Sequence, residues 1–302
     1  MYDNLFSERG LSLDRLRVLV EVYDAGGIAK AAPGDPIRQS QYSRQLRELS
    51  EFFGAEVAHR QGRQLKLTPQ GVQLAELVRS QLHALQDFRA ECRSESVDYT
   101  IAAGDSLIHW LVIPRLGEIM RKQASVRFAT SNLRTNEIVQ QLKDGRVDFG
   151  VIRKDAVIAP LKSAPLGSLS FVAVVPKALL PTRGNLTLCD VLGPLPFAAP
   201  PRAGPFTKKL RDVAKTLQTE LRPALICQSF PQAMAAVRSG GFGSVLPALA
   251  LKELEPGSYR EIPAEPLSLL NRGIVLAWNS RLPRVRPSAK KLIEQLQDGL
   301  RF

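Results

Sequence analysis

Apolar residues recur at helical spacing from the start of the chain. Leu16, Leu19, Val20 and Tyr23 fall at i, i+3, i+4 and i+7, which predicts an amphipathic helix following Leu13. Gly26-Gly27 stops it, and residues 28–32 (IAKAA) form a short second helical piece. Pro33, Gly34 and Pro36 end that piece and force a turn. A third helix carries Tyr42, Leu46, Leu49 and Phe53 as a buried stripe, with Gln41, Ser43, Arg44, Arg47 and Glu48 on the opposite side. In residues 57–67 the pattern changes. Leu65 and Leu67 alternate with polar residues, as in a half-buried strand, and residues 57–67 read as a small hairpin with basic residues at its tip.

Thr68-Pro69 is a helix start, with Thr as N-cap and Pro at the first helical position. Leu74, Leu77, Val78, Leu82, Leu85, Phe88 and Cys92 then form one long apolar stripe, which needs a partner. Packing on its own domain and pairing with a second copy both satisfy that need.

Beyond residue 97 strands and helices alternate. Strands are expected at 98–104, 125–131, 146–152 and 170–175, with others near 197–199, 224–228 and 273–278. Helices are expected at 107–121, 136–144, 206–217, 230–238 and 288–300. Repeated βα units imply a mainly parallel sheet covered by helices. The chain pauses at 160–167 and returns late at 271–278, which suits two α/β lobes with a ligand cleft between them.

The chain has 302 residues, 44% hydrophobic and 23% charged, as in a soluble globular protein of two or three domains. No secretory leader and no membrane-spanning run is read, and three scattered cysteines fit a reducing cytoplasm. The net charge of +12 suggests nucleic acid, but its distribution does not place that function. Residues 1–67 hold 10 Lys+Arg against 9 Asp+Glu, whereas residues 201–302 hold 16 against 8.

Pattern carries the argument instead. Three helices and a basic hairpin make a winged helix-turn-helix, whose third helix presents its first turns to major-groove base edges. Gln and Arg make bidentate contacts to adenine and guanine, Ser43 suits a phosphate, and Arg60 and Arg63 on the wing suit phosphates or the minor groove. Residues 25–71 resemble the DNA-binding head of LysR-type regulators. The resemblance runs through Ala31-Ala32, Gln39, the Ser43-Arg44-Gln45-Leu46 run, Leu49, Phe53-Gly54, Gly62-Arg63, Leu67-Thr68 and Gly71. It implies that Gln39, Ser40, Gln41, Ser43 and Arg44 face DNA, with Arg63 on the wing, and that the linker helix pairs antiparallel with that of a second subunit. One departure stands out. Where the family continues its second helix and buries a leucine, this chain has 33–36 (PGDP). A reshaped turn, with Ile37 as apolar plug, and a weakened head are both open at this point.

Further on, LKDGRVDFGVI and AMAAVRSGGFGSVLPALA resemble the LysR-type effector domain, which has the periplasmic-binding-protein fold. The fold expected is therefore an N-terminal all-α winged helix-turn-helix with a long linker helix, plus a two-lobed α/β periplasmic-binding-protein-like effector domain. The expected boundaries are 1–67, 68–95 and 96–302, with lobe I at 98–168 and 269–302 and lobe II at 169–268. Ligands in such folds sit beyond the carboxyl ends of strands, near helix N-termini. That selects Asp105 and Ser106 after the first strand, and Thr130, Ser131 and Asn132 after the second. It also selects Ser229 and Phe230, with Arg202 on an opposing wall. Hydroxyls beside free helix N–H groups suit a carboxylate, so an anionic effector is expected; plain capping is the alternative for Ser106 and Ser229.

No metal-ligand spacing is found, no GxxxxGK[ST] and no GxSxG. His109 is read as a core or cleft histidine, Cys189 and Cys227 as buried thiols, and residues 240–243 (GGFG) as a tight turn before a strand. The function expected is a cytoplasmic transcription regulator with double-stranded DNA, a small-molecule effector and further copies of itself as partners, and with no cofactor or catalytic residues. A ligand-binding or interaction protein with a degenerate head is the alternative.

Overall fold

A computed structural model describes residues 3–7, 9–61, 64–121, 125–182, 185–200, 204–262 and 264–302. The chain divides into two compact units, one of Met1–Glu95 with Arg281–Pro287, the other of Ser96–Ser280 with Ser288–Phe302.

The first unit opens with a single turn, α1 (Asp3–Phe6), followed by α2 (Leu13–Ala25) and α3 (Ile28–Ala31). Then come α4 (Pro36–Phe53), the hairpin β1 (Ala58–Gln61) and β2 (Gln64–Leu67), and the long α5 (Pro69–Cys92). Ser12 caps α2 by accepting from the Arg15 N–H, and Gly26 ends it at φ 74°, a left-handed turn that costs glycine nothing. The residues of α2 that go fully inside are Val18, Leu19 and Val22, so the buried stripe lies one position off the Leu16–Tyr23 line. They meet Ile28, Ala32, Tyr42, Leu46, Leu49, Val57 and Ala75 in one core. Each large side chain buried there contributes about 1.5–3 kcal/mol.

Two stripe expectations on α4 are corrected. Phe53 is 40% exposed, because it is the last helical residue and packs edge-on to Phe52 rather than inward. Ile37 is 73% exposed. It stands five positions before Tyr42, about 140° round the helix, so it cannot share that face. Ala32, at 2% exposure, closes this end of the core.

Helix α5 docks at its start and along its polar edge. Thr68 caps it by accepting from Gly71 N, and a Cβ at Gly71 would lie 2.0 Å from the Val57 carbonyl oxygen, so only glycine lets the helix come this close to the wing. Further along, Arg79 pairs with Asp24 and lies 5.2 Å over the Tyr23 ring. Asp87 receives both Nε (2.6 Å) and an Nη (2.8 Å) of Arg286, both residues being buried. The apolar stripe read from the sequence is mostly outside: Leu77, Leu85 and Phe88 are 52%, 55% and 65% exposed, and Cys92 is exposed too.

The second unit holds two five-stranded sheets. Its elements begin with β3 (Val97–Ala103), α6 (Asp105–Leu107), a π-helical turn (Ile108–Val112), α7 (Ile113–Arg121), β4 (Val126–Asn132), α8 (Thr135–Lys143), β5 (Phe149–Arg153) and β6 (Leu161–Leu169). Next come β7 (Phe171–Pro176), α9 (Leu188–Leu192), β8 (Phe197–Ala199), α10 (Pro205–Thr216), β9 (Pro223–Ile226), α11 (Phe230–Arg238), β10 (Gly243–Pro247) and β11 (Tyr259–Ile262). The chain returns through β12 (Arg272–Asn279), gives α12 (Leu282–Val285) to the first unit, and ends in α13 (Ser288–Leu300). One sheet runs β4-β3-β5-β12-β6, the other β11-β7-β10-β8-β9.

Each sheet is mixed, with one strand running against the other four. β3 pairs parallel with β4 and β5, but β12 runs antiparallel to β5 and β6. Likewise β8 pairs parallel with β9 and β10, but β7 runs antiparallel to β10 and β11. The apparent pause at 160–167 is strand β6. Pro165 and Gly167 lie within it, and a bulge in the pairing falls opposite them, at Ile274/Val275. An edge strand tolerates a missing N–H donor. Strand β11 had no counterpart in the sequence reading. The helix expected at 107–121 contains a π-helical turn, and this turn carries Trp110 into the core cluster of the second sheet, beside Cys227, Met234 and Leu246.

Candidate functional site

The head's outward face is set by how α4 begins. Asp35 is its N-cap, accepting from Arg38 N at 2.9 Å, and Pro36 occupies the first helical position. Gln39 Nε2 donates to the Ala32 carbonyl at 2.7 Å, tying α3 to α4. The PGDP segment is therefore a built cap, and it leaves the helix that follows intact.

Ser40, Gln41, Arg44 and Arg47 are exposed on α4, and Ser43 is half-buried. Arg44 Nε donates to Glu48 Oε1 at 3.1 Å, and Arg47 lies 3.9 Å from Glu51. Glu48 also accepts from Arg15 Nε at 2.5 Å, and this bond holds its carboxyl below the ordinary glutamate range, against a smaller opposing effect of burial. Such exposed pairs are worth about 0.2–1 kcal/mol, so a stronger anion can displace the carboxylates. Arg60 is exposed on β1, opposite Leu65; Arg63 lies outside the described residues.

The sequence reading passed over Arg38. Its Nε donates to Tyr42 Oη at 2.8 Å, and Tyr42 O–H donates to Glu21 Oε2 at 2.5 Å. Burial, and then the bond to Glu21, push the Tyr42 hydroxyl's pKa up. Arg38 thus stands half out of the first turn of α4, braced from behind. The i, i+4 spacing of Arg38 and Tyr42 was the available signal.

In the second unit Asp105 and Ser106 open α6 and are half-buried. Thr130, Ser131 and Asn132 are not in a loop but close β4, paired with Ile101, Ala102 and Ala103. The ladder extends further than expected because β3 continues alongside it to Ala103. The carboxyl ends of β3 and β4, with Asp105 and Ser106, therefore stand side by side. Ser229 caps α11, its Oγ accepting from Gln232 N at 3.5 Å, and α11 packs against α6. The Phe230 ring meets Phe206 edge-on at 4.8 Å and Phe171 at 5.8 Å. Arg202 lies outside the described residues.

A pocket of about 510 Å³ opens where β5 ends and β12 begins. Arg153, Lys154 and Asp155 line one side, Asn271, Arg272 and Gly273 another, and Pro205 and Lys209 come from α10. Arg153 is ion-paired with Asp155 at 3.6 Å, and Lys209 Nζ reaches the Leu269 carbonyl at 3.4 Å. The Arg272 guanidinium lies 5.1 Å over the Phe171 ring and 5.9 Å from that of Phe206. Burial, then the neighbouring charge of Arg153, lower its pKa, with Asp155 opposing. None of these eight residues was selected from the sequence. Phe230, which was selected, packs on Phe171 and Phe206, the rings over which Arg272 lies.

His109 is not a core residue: its ring is half-exposed and its Nε2 lies 2.7 Å from Glu253 Oε1. Cys227 is buried, and burial raises its thiol pKa; Cys189 is half-buried and donates to the Leu217 carbonyl. Among the described residues no group of His, Cys, Asp or Glu side chains could hold a metal ion, and no helix is long and apolar enough to cross a membrane.

Comparison with known proteins gives the assignment. Residues 13–72 match the family model of the bacterial regulatory helix-turn-helix protein, lysR family, and residues 93–301 match that of the LysR substrate binding domain. The HTH-type transcriptional regulator YnfL of Escherichia coli K12 is 27% identical over 266 residues, covering 84% of this chain and 87% of that protein. A full-length OxyR variant from Pseudomonas aeruginosa superposes with a TM-score of 0.66 at 19% identity, over 97% of this chain and 95% of that one. Full-length CbnR, solved with its target DNA, gives 0.57 at 18% identity, over 96% and 100%. A substrate binding domain implies a small-molecule effector, and the relatives are regulators rather than enzymes. The chain belongs to the LysR family of transcriptional regulators, with an N-terminal DNA-binding helix-turn-helix and a C-terminal effector-binding domain.

Proposed function

We propose that the chain reads duplex DNA through the exposed face of α4, with Ser40, Gln41, Arg44 and Arg47 toward the bases and phosphates. Ser43 and Arg38 sit at its margin, and Arg60 and Arg63 act from the wing. Gln39 sets the turn by its bond to Ala32. The observation that supports this most is the Asp35 cap, which starts α4 cleanly and leaves that face exposed. With DNA as its partner, the protein works in the cytoplasm.

Two copies are needed to read two half-sites. The exposed row Leu77, Leu85, Phe88 and Cys92 on α5 suits pairing with the same helix of a second copy, because an apolar row this long is costly to leave in water. In the effector domain, an anionic small molecule fits the cationic pocket at the β5–β12 junction, with Asp105, Ser106, Thr130, Ser131, Asn132, Ser229, Phe230 and Arg202 as candidates for the adjoining cleft wall.

Footprinting on the DNA flanking the protein's own gene tests the reading. Wild type should protect a site with a steep salt dependence, and Arg44→Ala should lose protection at moderate salt. Equal protection by both would remove the assigned face; none by wild type would remove the proposal.

A further inference from the structure

Four cations, Arg153, Lys154, Lys209 and Arg272, line the pocket against one carboxylate, Asp155. That carboxylate is engaged by Arg153. Arg272 has no ion-pair partner within 4 Å among the described residues, although it is half-buried and its planar face covers Phe171 and Phe206. Stacking uses the face of a guanidinium and leaves its N–H edge free to take an oxyanion in a fork. Lys209 spends one donor on a long bond to the Leu269 carbonyl and has two more. Gly273 lies close enough to Lys154 that a Cβ there would touch the lysine's Cβ at 3.4 Å, so the lysine stem runs against the start of β12. Holding the half-buried Arg272 without an acid beside it is costly until opposite charge arrives. A single negative charge leaves the rim still positive. The volume lies in the range of small-molecule sites, about 300–1,000 Å³.

Resting on the reading of this pocket as the effector site, we propose that its ligand is a small molecule carrying two negative charges on oxygen, a dicarboxylate or a phosphate monoester, anchored chiefly by Arg272 and Lys209. Arg272 supplies the flat, bidentate end. Lys209 supplies a point charge for the second negative charge, on the far carboxylate of a dicarboxylate or on the remaining oxygen of a phosphate.

The test uses calorimetric titration of the full-length chain at constant ionic strength. The probes are succinate, adipate and glucose 6-phosphate, each against a singly charged counterpart: monomethyl succinate, monomethyl adipate and the methyl diester of glucose 6-phosphate. At least one dianion should bind about tenfold or more tighter than its counterpart, and which one separates the carboxylate from the phosphate source. Arg272→Gln and Lys209→Gln should each weaken that dianion about tenfold, while Lys208→Gln, at an exposed neighbour outside the pocket, should not. Lys209 is exposed, so its variant keeps the test valid if Arg272→Gln fails to fold. Equal affinity for dianion and counterpart, dianion binding unchanged in Lys209→Gln, or no binding across the panel each overturns the proposal. Footprinting of the same preparations separates the failures: retained DNA protection with no dianion preference refutes this inference alone, whereas lost protection in ligand-free wild type refutes the reading of the head.

Discussion

The two units treat their arginines in opposite ways. In the head, cations come with carboxylates: Arg15 and Arg44 share Glu48, Arg17 meets Glu21, Arg79 meets Asp24, and Arg286 meets Asp87. That is why the DNA-binding part is nearly neutral in a chain of net charge +12. In the pocket at the β5–β12 junction, Arg272 has no ion-pair partner within 4 Å among the described residues, and Arg153 has an exposed one. Arginine pairs in the head hold structure together or wait in weak surface exchange, whereas Arg272 in the pocket lies over the Phe171 and Phe206 rings. Net charge is thus a poor guide to where this regulator meets DNA.

The largest expected effect breaks the comparison at its most buried pair. Asp87→Ala should destabilise the head by about 3–5 kcal/mol, because the buried Arg286 loses an opposite charge and two short hydrogen bonds, and chemical denaturation followed by circular dichroism should report it. Replacing both residues with apolar ones of similar size should recover most of that loss. Next, Arg44→Ala should weaken operator binding by about 1–3 kcal/mol while leaving the unfolding midpoint nearly unchanged, measured by fluorescence anisotropy alongside denaturation. A large stability loss would mean that the exposed Arg44–Glu48 pair is structural after all. Arg272→Met should leave the thermal midpoint of the ligand-free effector domain unchanged or raised, within about 1 kcal/mol, since it removes a like charge beside Arg153. A marked fall would show that stacking on Phe171 and Phe206 is the residue's purpose.

The smallest effect is in acid. Glu48 has its pKa lowered in the fold, chiefly by Arg15, so its contribution is fully present above about pH 4.3, the unperturbed glutamate value, and fades as pH falls through its lower folded value. Glu48→Gln should flatten stability against pH in that acid window and nowhere near neutrality. An identical acid profile in both proteins would place the stabilising partner of Arg15 elsewhere.

The head was legible because its signals are local. Period, cap and turn residues each act within a few positions, and Gly26, Thr68 and the Tyr42–Leu46–Leu49 face could be read directly. Errors arose where hydrophobicity was read without its phase, as with Ile37, or without the helix end, as with Phe53. Strand β6 was hidden because Pro165 and Gly167 look like loop residues until the sheet edge that tolerates them is known. The pocket was illegible for a different reason. Its walls come from 153–155, 205–209 and 271–273, and only the antiparallel return of β12 onto β5 places Ile274 opposite Arg153. No spacing in the sequence encodes that.

The clip between Arg286 and Asp87 also changes what counts as a separable part of this regulator. A fragment or chimera cut after residue 95 would leave Arg281–Pro287, a piece of the head's own scaffold, with the other half. That piece follows directly on β12, whose first residues rim the pocket. Grafting a foreign sensor onto this head would therefore require transplanting seven residues from near the far end of the chain, or redesigning Asp87 to live without them.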